Sequence, residues 1–334
     1  MQIQKFLLVP FVFCAAALSA QTLLNDSFTS APSGTFGTGN NSSGTSGIGV
    51  QNPPSSVEWF SNTFVPFGST TTINYINGSG ISFDDSSTQS VTAYFESAGN
   101  YASLNVGNTL TLSFNFTISS PSNDSTGLRF GIFNSGSTSN VKNQLTRNTS
   151  TTLSAGNAGS PTGYSGYYVG FDAGANSGTF ETGVSTLYSR AVSSNTSFIA
   201  TVGNDSALGN PATNTTPGLG ADNYQATLTL DYASAGTMNV SFGLTDLTTS
   251  TALAAYDDTA AATIGSGTPA ITSLTTSFDG LSIGELGGQG GPMTISNVTV
   301  SESEIPEPSA YAAILGVATL GFVAIRGRRQ RAQA

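Results

Sequence analysis

The sequence of 334 residues contains no histidine. Ser-His-Asp catalysis, histidine-ligated zinc and an imidazole general base are therefore excluded. The chain has a single cysteine, Cys14, inside the N-terminal apolar run, and the bulky Phe13 before it does not fit a lipoprotein cleavage site. A mature chain without that run would have no disulfide, thiolate metal ligand or cysteine nucleophile.

Basic residues are also scarce, with 9 Lys+Arg against 19 Asp+Glu. Between Gln21 and Glu304 there are 18 acids and 4 bases, which gives a formal charge of −14. Such a surface repels phosphate backbones, so we expect no nucleic-acid partner. Few charges with abundant Gly, Ser, Thr and Asn are typical of extracellular β proteins and also of disordered chains.

The N-terminus has the three parts of a secretory signal peptide: Lys5, an apolar run from Phe6 to Leu18, and Ser19-Ala20-Gln21. The run is shorter than the ~20 residues that span a bilayer as a helix. We therefore predict a signal helix in residues 1–20, export by the Sec translocon, and cleavage by signal peptidase after Ala20. A site at Ala15-Ala16-Ala17 is an alternative.

Apolar and polar residues alternate from Leu110 to Ile118, as expected for a strand with one buried face. The same period recurs at 128–132, 226–232 and 238–244. Gly236, in the short connection between the last two segments, predicts that they form a hairpin. Further strands are predicted at 23–28, 73–76, 91–95, 167–171, 197–202, 278–283 and 295–300. Polar stretches at 31–56, 141–163, 203–222 and 259–270 are predicted to be surface loops.

Many short strands without helical periodicity predict an all-β antiparallel β-sandwich or a barrel over residues 21–304. The opening Leu24–Phe28, the inner strands 110–118 and 127–134, and the closing Ile295–Val300 resemble the concanavalin-like jelly roll of lectin and glucanase domains. That resemblance implies that the opening and closing strands pair in one sheet.

Residues 305–334 form a tail of different character: the motif Pro306-Glu307-Pro308, an apolar run over 311–325, and then Arg326, Arg328, Arg329 and Arg331. Both prolines fix φ and lack N–H donors, which predicts an accessible, non-helical stalk. We expect a short hydrophobic helix in the apolar run, with the arginines on the cytoplasmic side of the membrane. A plain C-terminal anchor is the alternative.

This tail resembles the PEP-CTERM sorting signal. The resemblance implies recognition by an exosortase-type enzyme, with Pro306, Glu307 and Pro308 as that enzyme's substrate residues. It further implies a Gram-negative envelope, transient membrane anchoring, and delivery to the cell surface, outer envelope or extracellular matrix, in association with exopolysaccharide.

Without histidine, the remaining hydrolytic chemistry is that of paired carboxylates, as in glycosidases. Jelly-roll glucanases carry a Glu-x-Asp-x-x-Glu run along one strand, and this sequence has none. We therefore predict no catalytic residue and no enzymatic activity. A structural calcium is the one cofactor considered, with candidate ligands Asp26, Asp84, Asp85 and Asp279, although solvated loop aspartates are the common alternative.

Exposed aromatic rings can stack on the apolar faces of sugars. The candidates are Trp59, Tyr164 and Tyr168, with core packing as the alternative for each. Because Tyr167 and Tyr168 are adjacent, one ring should face the core and the other should face outward. The sequence thus favours a non-catalytic surface or matrix protein that could bind carbohydrate. A glycan-acting hydrolase or lyase on the same fold and a purely structural envelope adhesin stay open as alternatives.

Overall fold

The structure is a computed structural model that describes residues 20–29, 34–35, 48–52, 55–63, 73–76, 78–83, 89–97, 99–118, 127–136, 164–172, 185–191, 205–209, 219–267, 269–286 and 293–303. These residues form a 3-10 helix, Ala254–Tyr256, and the following strands. The strands are β1 Ala20–Asp26, β2 Gly34–Thr35, β3 Ile48–Asn52, β4 Ser55–Thr63, β5 Asn74–Ile76, β6 Gly80–Phe83, β7 Gln89–Tyr94, β8 Ala102–Ser103, β9 Thr109–Ile118, β10 Gly127–Asn134, β11 Ser165–Asp172, β12 Ser185–Arg190, β13 Ser206–Leu208, β14 Asn223–Ser234, β15 Thr237–Asp246, β16 Thr251–Ala252, β17 Asp258–Thr263, β18 Ser277–Phe278, β19 Gly280–Leu286 and β20 Met293–Ser303.

Two large sheets face each other. A ten-stranded sheet has the order β16-β15-β14-β9-β20-β6-β5-β2, with β1 beside β20 and β17 beside β15. An eight-stranded sheet has the order β13-β12-β11-β10-β19-β7-β4-β3. The predicted antiparallel β-sandwich is confirmed, and the opening and closing strands β1 and β20 pair in one sheet as the jelly-roll resemblance implied.

The strands form where alternation was strongest. In β9 the residues Leu110, Leu112, Phe114, Phe116 and Ile118 are buried, and the residues between them are partly or fully exposed. The predicted β14–β15 hairpin is confirmed, and Gly236 takes a left-handed φ of 94° in its turn. Antiparallel pairing of β9 with β14 places the apolar residues of both strands on one side of the sheet.

Three predicted loops contain strands. The 31–56 stretch includes β2, β3 and the start of β4, the 203–222 stretch includes β13, and the 259–270 stretch includes most of β17. In β17 the buried positions are Ala260 and Ala262, whose small side chains gave a weak hydrophobic signal. The predicted strand at 197–202 and the predicted loop at 141–163 lie outside the described residues.

The core lies between the two sheets and is rich in aromatic rings. Phe114 on β9 meets Phe130 on β10 edge to face, with ring centroids 4.8 Å apart. Phe171 on β11 stacks on Phe242 of β15 at 5.2 Å. Such pairs stabilise a core by about 0.5–1.5 kcal/mol beyond the burial of their area, so these contacts hold the two sheets face to face.

By its internal contacts the chain divides into a unit of residues 21–302 and a unit of residues 1–20 and 303–334. Apart from Ala20 and Ser303, the second unit lies outside the described residues. The predicted signal helix, the motif Pro306–Pro308, the apolar run 311–325 and the arginines at 326, 328, 329 and 331 are all in that part. Within the described ranges, no helix has the length and apolar character needed to cross a membrane.

Candidate functional site: an aromatic and polar face on the eight-stranded sheet

The eight-stranded sheet has bulky side chains on both of its faces. On β11, Tyr167 and Val169 point into the core, whereas Tyr168 points to the opposite face. The expectation that the two adjacent tyrosines face opposite sides is confirmed. On β10, Arg129 and Phe133 share the outer face with Tyr168, as the register of β10 and β11 requires. We call this surface the aromatic–polar face.

The aromatic part of this face is a cluster of five buried rings. They are Tyr94, Phe133, Tyr164, Tyr168 and Tyr188, each at most 9% exposed. Tyr168 stacks on Tyr188, with centroids 4.8 Å apart and an interplanar angle of 15°. The hydroxyl groups of Tyr94 and Tyr164 lie 2.5 Å apart. The rings thus form a second apolar layer, separate from the core between the sheets.

Glycines in the strands below make room for this layer. A Cβ at Gly131 would lie 2.4 Å from the Cβ of Tyr168. A Cβ at Gly280 would lie 2.9 Å from Cδ1 of Tyr94. Since real Cβ atoms do not approach other heavy atoms so closely, the rings can pack onto the sheet only because these positions lack a side chain.

The polar part of the face is centred on Asp205, which directly precedes β13. The Tyr168 hydroxyl donates to Oδ2 of Asp205 at 2.8 Å, and Nη1 of Arg190 lies 3.5 Å from the same oxygen. Within the described part of the chain, Oδ1 of Asp205 and Oγ1 of Thr186 are buried without a hydrogen-bond partner. Thr186 lies in register with Gly170 and, through it, with Arg129.

Burial sets the electrostatics of these groups. It raises the pKa of Tyr168 well above the ordinary value, the charge of Asp205 raises it further, and Arg129 acts in the opposite direction. Burial also lowers the pKa of Arg190, against the effect of Asp205. Desolvation raises the pKa of Tyr164 to about 12. The tyrosines are therefore neutral hydroxyl groups near pH 7 and can donate hydrogen bonds.

The predicted stacking residues have different positions. Tyr164 and Tyr168 lie together in the ring cluster of the aromatic–polar face, where both are buried and neither presents an open ring face to a sugar. Trp59 is fully buried in the core, where its Nε1 donates to Oδ2 of Asp26 at 2.7 Å and its ring lies 5.6 Å from that of Phe28. Trp59 thus offers no exposed ring face to a sugar, which corrects its assignment as a stacking residue.

The predicted calcium ligands also have structural partners. Asp26 is fully buried and accepts from Trp59 and, at 2.7 Å, from the backbone N–H of Phe28. Asp279 is fully buried and accepts from the N–H and the hydroxyl of Ser135 at 2.8 and 2.6 Å. These two aspartates serve as acceptors inside the sandwich, and no group of three or more metal-ligating acids occurs among the described residues. Asp84 and Asp85 lie outside those residues.

Sequence reasoning did not identify Tyr94, Tyr188, Arg129, Arg190 and Asp205. A signal was present for the arginines, because they are two of only four bases between Gln21 and Glu304. Both lie within strands, and both are less than 5% exposed. Alternation assigns both positions to a solvated face, so the scarcity of basic residues is the one feature of the sequence that sets these arginines apart.

Comparison with known proteins shows a likeness in structure alone. No protein family matches the chain, and no curated protein matches it in sequence. The potassium-bound carbohydrate recognition domain of Emp46p is 8% identical, with a TM-score of 0.36 over 72% of this chain and 87% of that chain. The seed lectin of Lotus tetragonolobus is 10% identical, with a TM-score of 0.35 over 75% and 94%. Metal-free lectin I-B4 of Griffonia simplicifolia is 12% identical, with a TM-score of 0.33 over 81% and 99%.

Proposed function

We propose that this protein is an exported, non-catalytic protein of the cell surface or extracellular matrix that binds carbohydrate through the aromatic–polar face. The observation that carries the proposal is the ring cluster beside two buried polar atoms, Oγ1 of Thr186 and Oδ1 of Asp205, that have no hydrogen-bond partner in the described chain. Leaving a buried polar group unsatisfied costs about 1–3 kcal/mol. Both atoms are buried, so a sugar hydroxyl would have to enter this face to satisfy them.

Sugars have the matching chemistry. Their hydroxyl groups both donate and accept hydrogen bonds, as the unsatisfied polar atoms of this face require. The five rings, each at most 9% exposed, pack on one another and do not stack on the sugar. Oδ1 of Asp205 would accept from a sugar hydroxyl while Tyr168 and Arg190 hold the carboxylate through Oδ2. Because Arg190 compensates the charge of Asp205, the pair favours a neutral hydroxyl over a second charged group.

The positions of Asp205 and Glu285 support binding rather than hydrolysis by this pair. Glycosidases place two acids about 5–9.5 Å apart across one glycosidic bond. Asp205 lies on the aromatic–polar face with Tyr168, whereas Glu285 is in register with Leu128 and points to the core side of the same sheet. Two acids on opposite faces of a sheet cannot flank a common substrate.

The binding proposal is tested on a glycan array with the full chain and its Thr186→Val variant. Valine keeps the shape but removes the hydroxyl, so we expect glycan binding to fall about 5–10-fold while stability is unchanged or slightly higher. Thr251→Val, on the exposed strand β16, is the matched control and should bind like the wild type. An array without any bound glycan, or equal binding by Thr186→Val, would contradict the proposal.

Export and exosortase-type sorting are proposed on the signal peptide and the Pro306-Glu307-Pro308 tail. The test is the mass of the protein recovered from the surface and medium of the producing bacterium. We expect loss of the segment before Gln21 and of the tail beyond about Pro308. Retention of residues 311–334 would mean a simple membrane anchor and would refute sorting.

A further inference from the structure

Several loops meet at one end of the ten-stranded sheet. Antiparallel pairing puts the start of β9, the turn between β14 and β15, and the end of β17 at this end. Backbone hydrogen bonds join the neighbouring loops: the N–H of Gly107 donates to Tyr232 at 2.8 Å, and that of Ile264 donates to Gly236 at 3.4 Å. We give the name loop end to the surface made by residues 104–108, 233–237, 264–267 and 269–276.

The loop end exposes apolar side chains and contains no charged residue. Val106 is 56% exposed and Ile264 is 54% exposed. Among the described residues they are the two most exposed of three exposed large apolar side chains, and the third, Ile76, ends β5. No Asp, Glu, Lys or Arg occurs in the ranges that form the loop end. Single exposed apolar residues are ordinary on a protein surface, so the position of this pair carries the argument.

The opposite end of the same strands is acidic. Asp222 directly precedes β14, and Asp246 ends β15. The two carboxylates share Thr248, whose backbone N–H donates to Asp246 at 2.8 Å and whose hydroxyl donates to Asp222. The strands of this sheet therefore lead from an acidic end to an end with uncharged loops.

The C-terminal strand of the sandwich reaches the loop end. Nδ2 of Asn108 donates to Oε1 of Glu302, near the end of β20, at 3.1 Å. Eight residues, 303–310, separate Glu302 from the apolar run over 311–325. Eight extended residues reach at most about 28 Å. An apolar run inserted in a bilayer would thus hold the loop end within that distance of the lipid surface.

We propose that the loop end docks on the surface of a lipid bilayer, with Val106 and Ile264 inserted between the headgroups. The proposal rests on the membrane anchoring of the uncut tail proposed above. Because the tail keeps the surface close, its high effective concentration makes a contact through two apolar side chains sufficient. The acids beside the loop end, Asp231 and Glu302, disfavour an anionic surface. The lipid that fits is therefore zwitterionic.

The test is site-specific fluorescence of the full chain in phosphatidylcholine vesicles. In a Cys14→Ser background, Val106→Cys, Ile264→Cys and Thr251→Cys are each labelled with an environment-sensitive nitrobenzoxadiazole dye. We expect the labels at 106 and 264 to shift to shorter wavelength and to be quenched by lipids that carry a nitroxide near the headgroup. Thr251, exposed on β16 and in register with Asp246, lies at the acidic end, so its label should keep the emission of a dye in water.

A third label position measures the contribution of the two apolar side chains. Ala235 is exposed in the β14–β15 turn of the loop end, so Ala235→Cys reports docking without replacing either of them. The added substitutions Val106→Ser and Ile264→Ser should lower the ratio of docked to undocked protein about tenfold, because two half-exposed side chains lose their burial in lipid. Thr251→Ser with Ala252→Ser, at the acidic end, is the matched control and should leave the ratio unchanged.

Flotation of the vesicles separates the outcomes. A full chain that does not float with the vesicles would refute both membrane anchoring and docking. A chain that floats while the labels at 106 and 264 keep the emission of a dye in water would leave anchoring intact and refute docking alone. A shift that occurs without vesicles and grows with protein concentration would mean that a second copy covers the loop end, and would also overturn the proposal. Far-UV circular dichroism confirms that each variant is folded.

Discussion

Asp26 connects the two sheets of the sandwich. Its replacement should lower the free energy of unfolding of the domain by several kcal/mol. The residue ends β1 in the ten-stranded sheet, and Trp59 lies on β4 of the eight-stranded sheet. The fully buried carboxylate accepts hydrogen bonds of 2.7 Å from Trp59 and from the backbone of Phe28. Phe28 has a left-handed φ of 58°, which is costly for a residue with a side chain.

Hydrogen bonds to a charged acceptor contribute about 1.5–3 kcal/mol each. Asp26→Ala removes at least these two and leaves the indole N–H buried without this acceptor, so the free energy of unfolding should fall by about 3–5 kcal/mol. Trp59→Phe removes only one donor along with part of the ring. The double variant should therefore lose less than the sum of the single losses, with a coupling energy of about 1.5–3 kcal/mol.

The assay is urea unfolding of the wild type, both single variants and the double variant, followed by circular dichroism. A coupling energy near zero would show that the Trp59–Asp26 contact contributes nothing specific, and the argument would fail. Stabilisation of the wild type by calcium that disappears in Asp26→Ala would also refute it. That outcome would mean that the carboxylate serves a cation rather than the indole.

Three further predictions concern the outer faces and pH. Gly131→Ala should lower the free energy of unfolding by about 1–3 kcal/mol in urea unfolding, because its Cβ would lie 2.4 Å from that of Tyr168. The control Gly243→Ala, whose Cβ would make an ordinary contact at 3.4 Å, should be neutral or stabilising in the same assay. Because the pKa of Tyr164 is raised to about 12, its contribution to the free energy of unfolding is complete below pH ~10 and is lost as pH rises toward 12. The tyrosinate absorbance of this residue, measured as the difference between the wild type and Tyr164→Phe, should therefore appear near pH 12 and not near pH 10. Desolvation raises the pKa of Asp258, so protonation of this carboxyl should stabilise the folded state as pH falls through that raised pKa. Asp258→Asn should remove this gain in the free energy of unfolding, as measured by urea unfolding at neutral and acidic pH.

The sequence predicted β9, β14 and β15, whose two faces differ, and missed β12, whose two faces are alike. Strand β9 alternates large apolar with polar residues because one of its faces is solvated. All six residues of β12 are buried, so Thr186, Tyr188 and Arg190 occupy covered positions that the alternation rule assigns to solvent. The aromatic–polar face could therefore not be predicted by periodicity.

Trp59 illustrates a second reason for failure. Its local sequence, beside a glutamate and after a serine pair, is compatible with an exposed ring. Its burial depends on Asp26, 33 residues earlier in the chain and in the other sheet. Long-range partners of this kind are set by topology, and a period of two within one strand carries no information about them.

The contrast between the two outer faces follows from one sequence difference. In β19 the core-facing Leu281 and Ile283 alternate with Gly280, Ser282 and Gly284, whereas in β14 equivalent apolar residues alternate with Thr and Gln. A small residue leaves space above the backbone for the ring of a neighbouring element, and at Gly280 that ring is Tyr94. A branched hydroxyl residue fills the same space and presents its own polar group to solvent. Glycine in alternation with large apolar residues is thus a readable signal that the second face of a strand is also covered, and that a functional site is to be sought there.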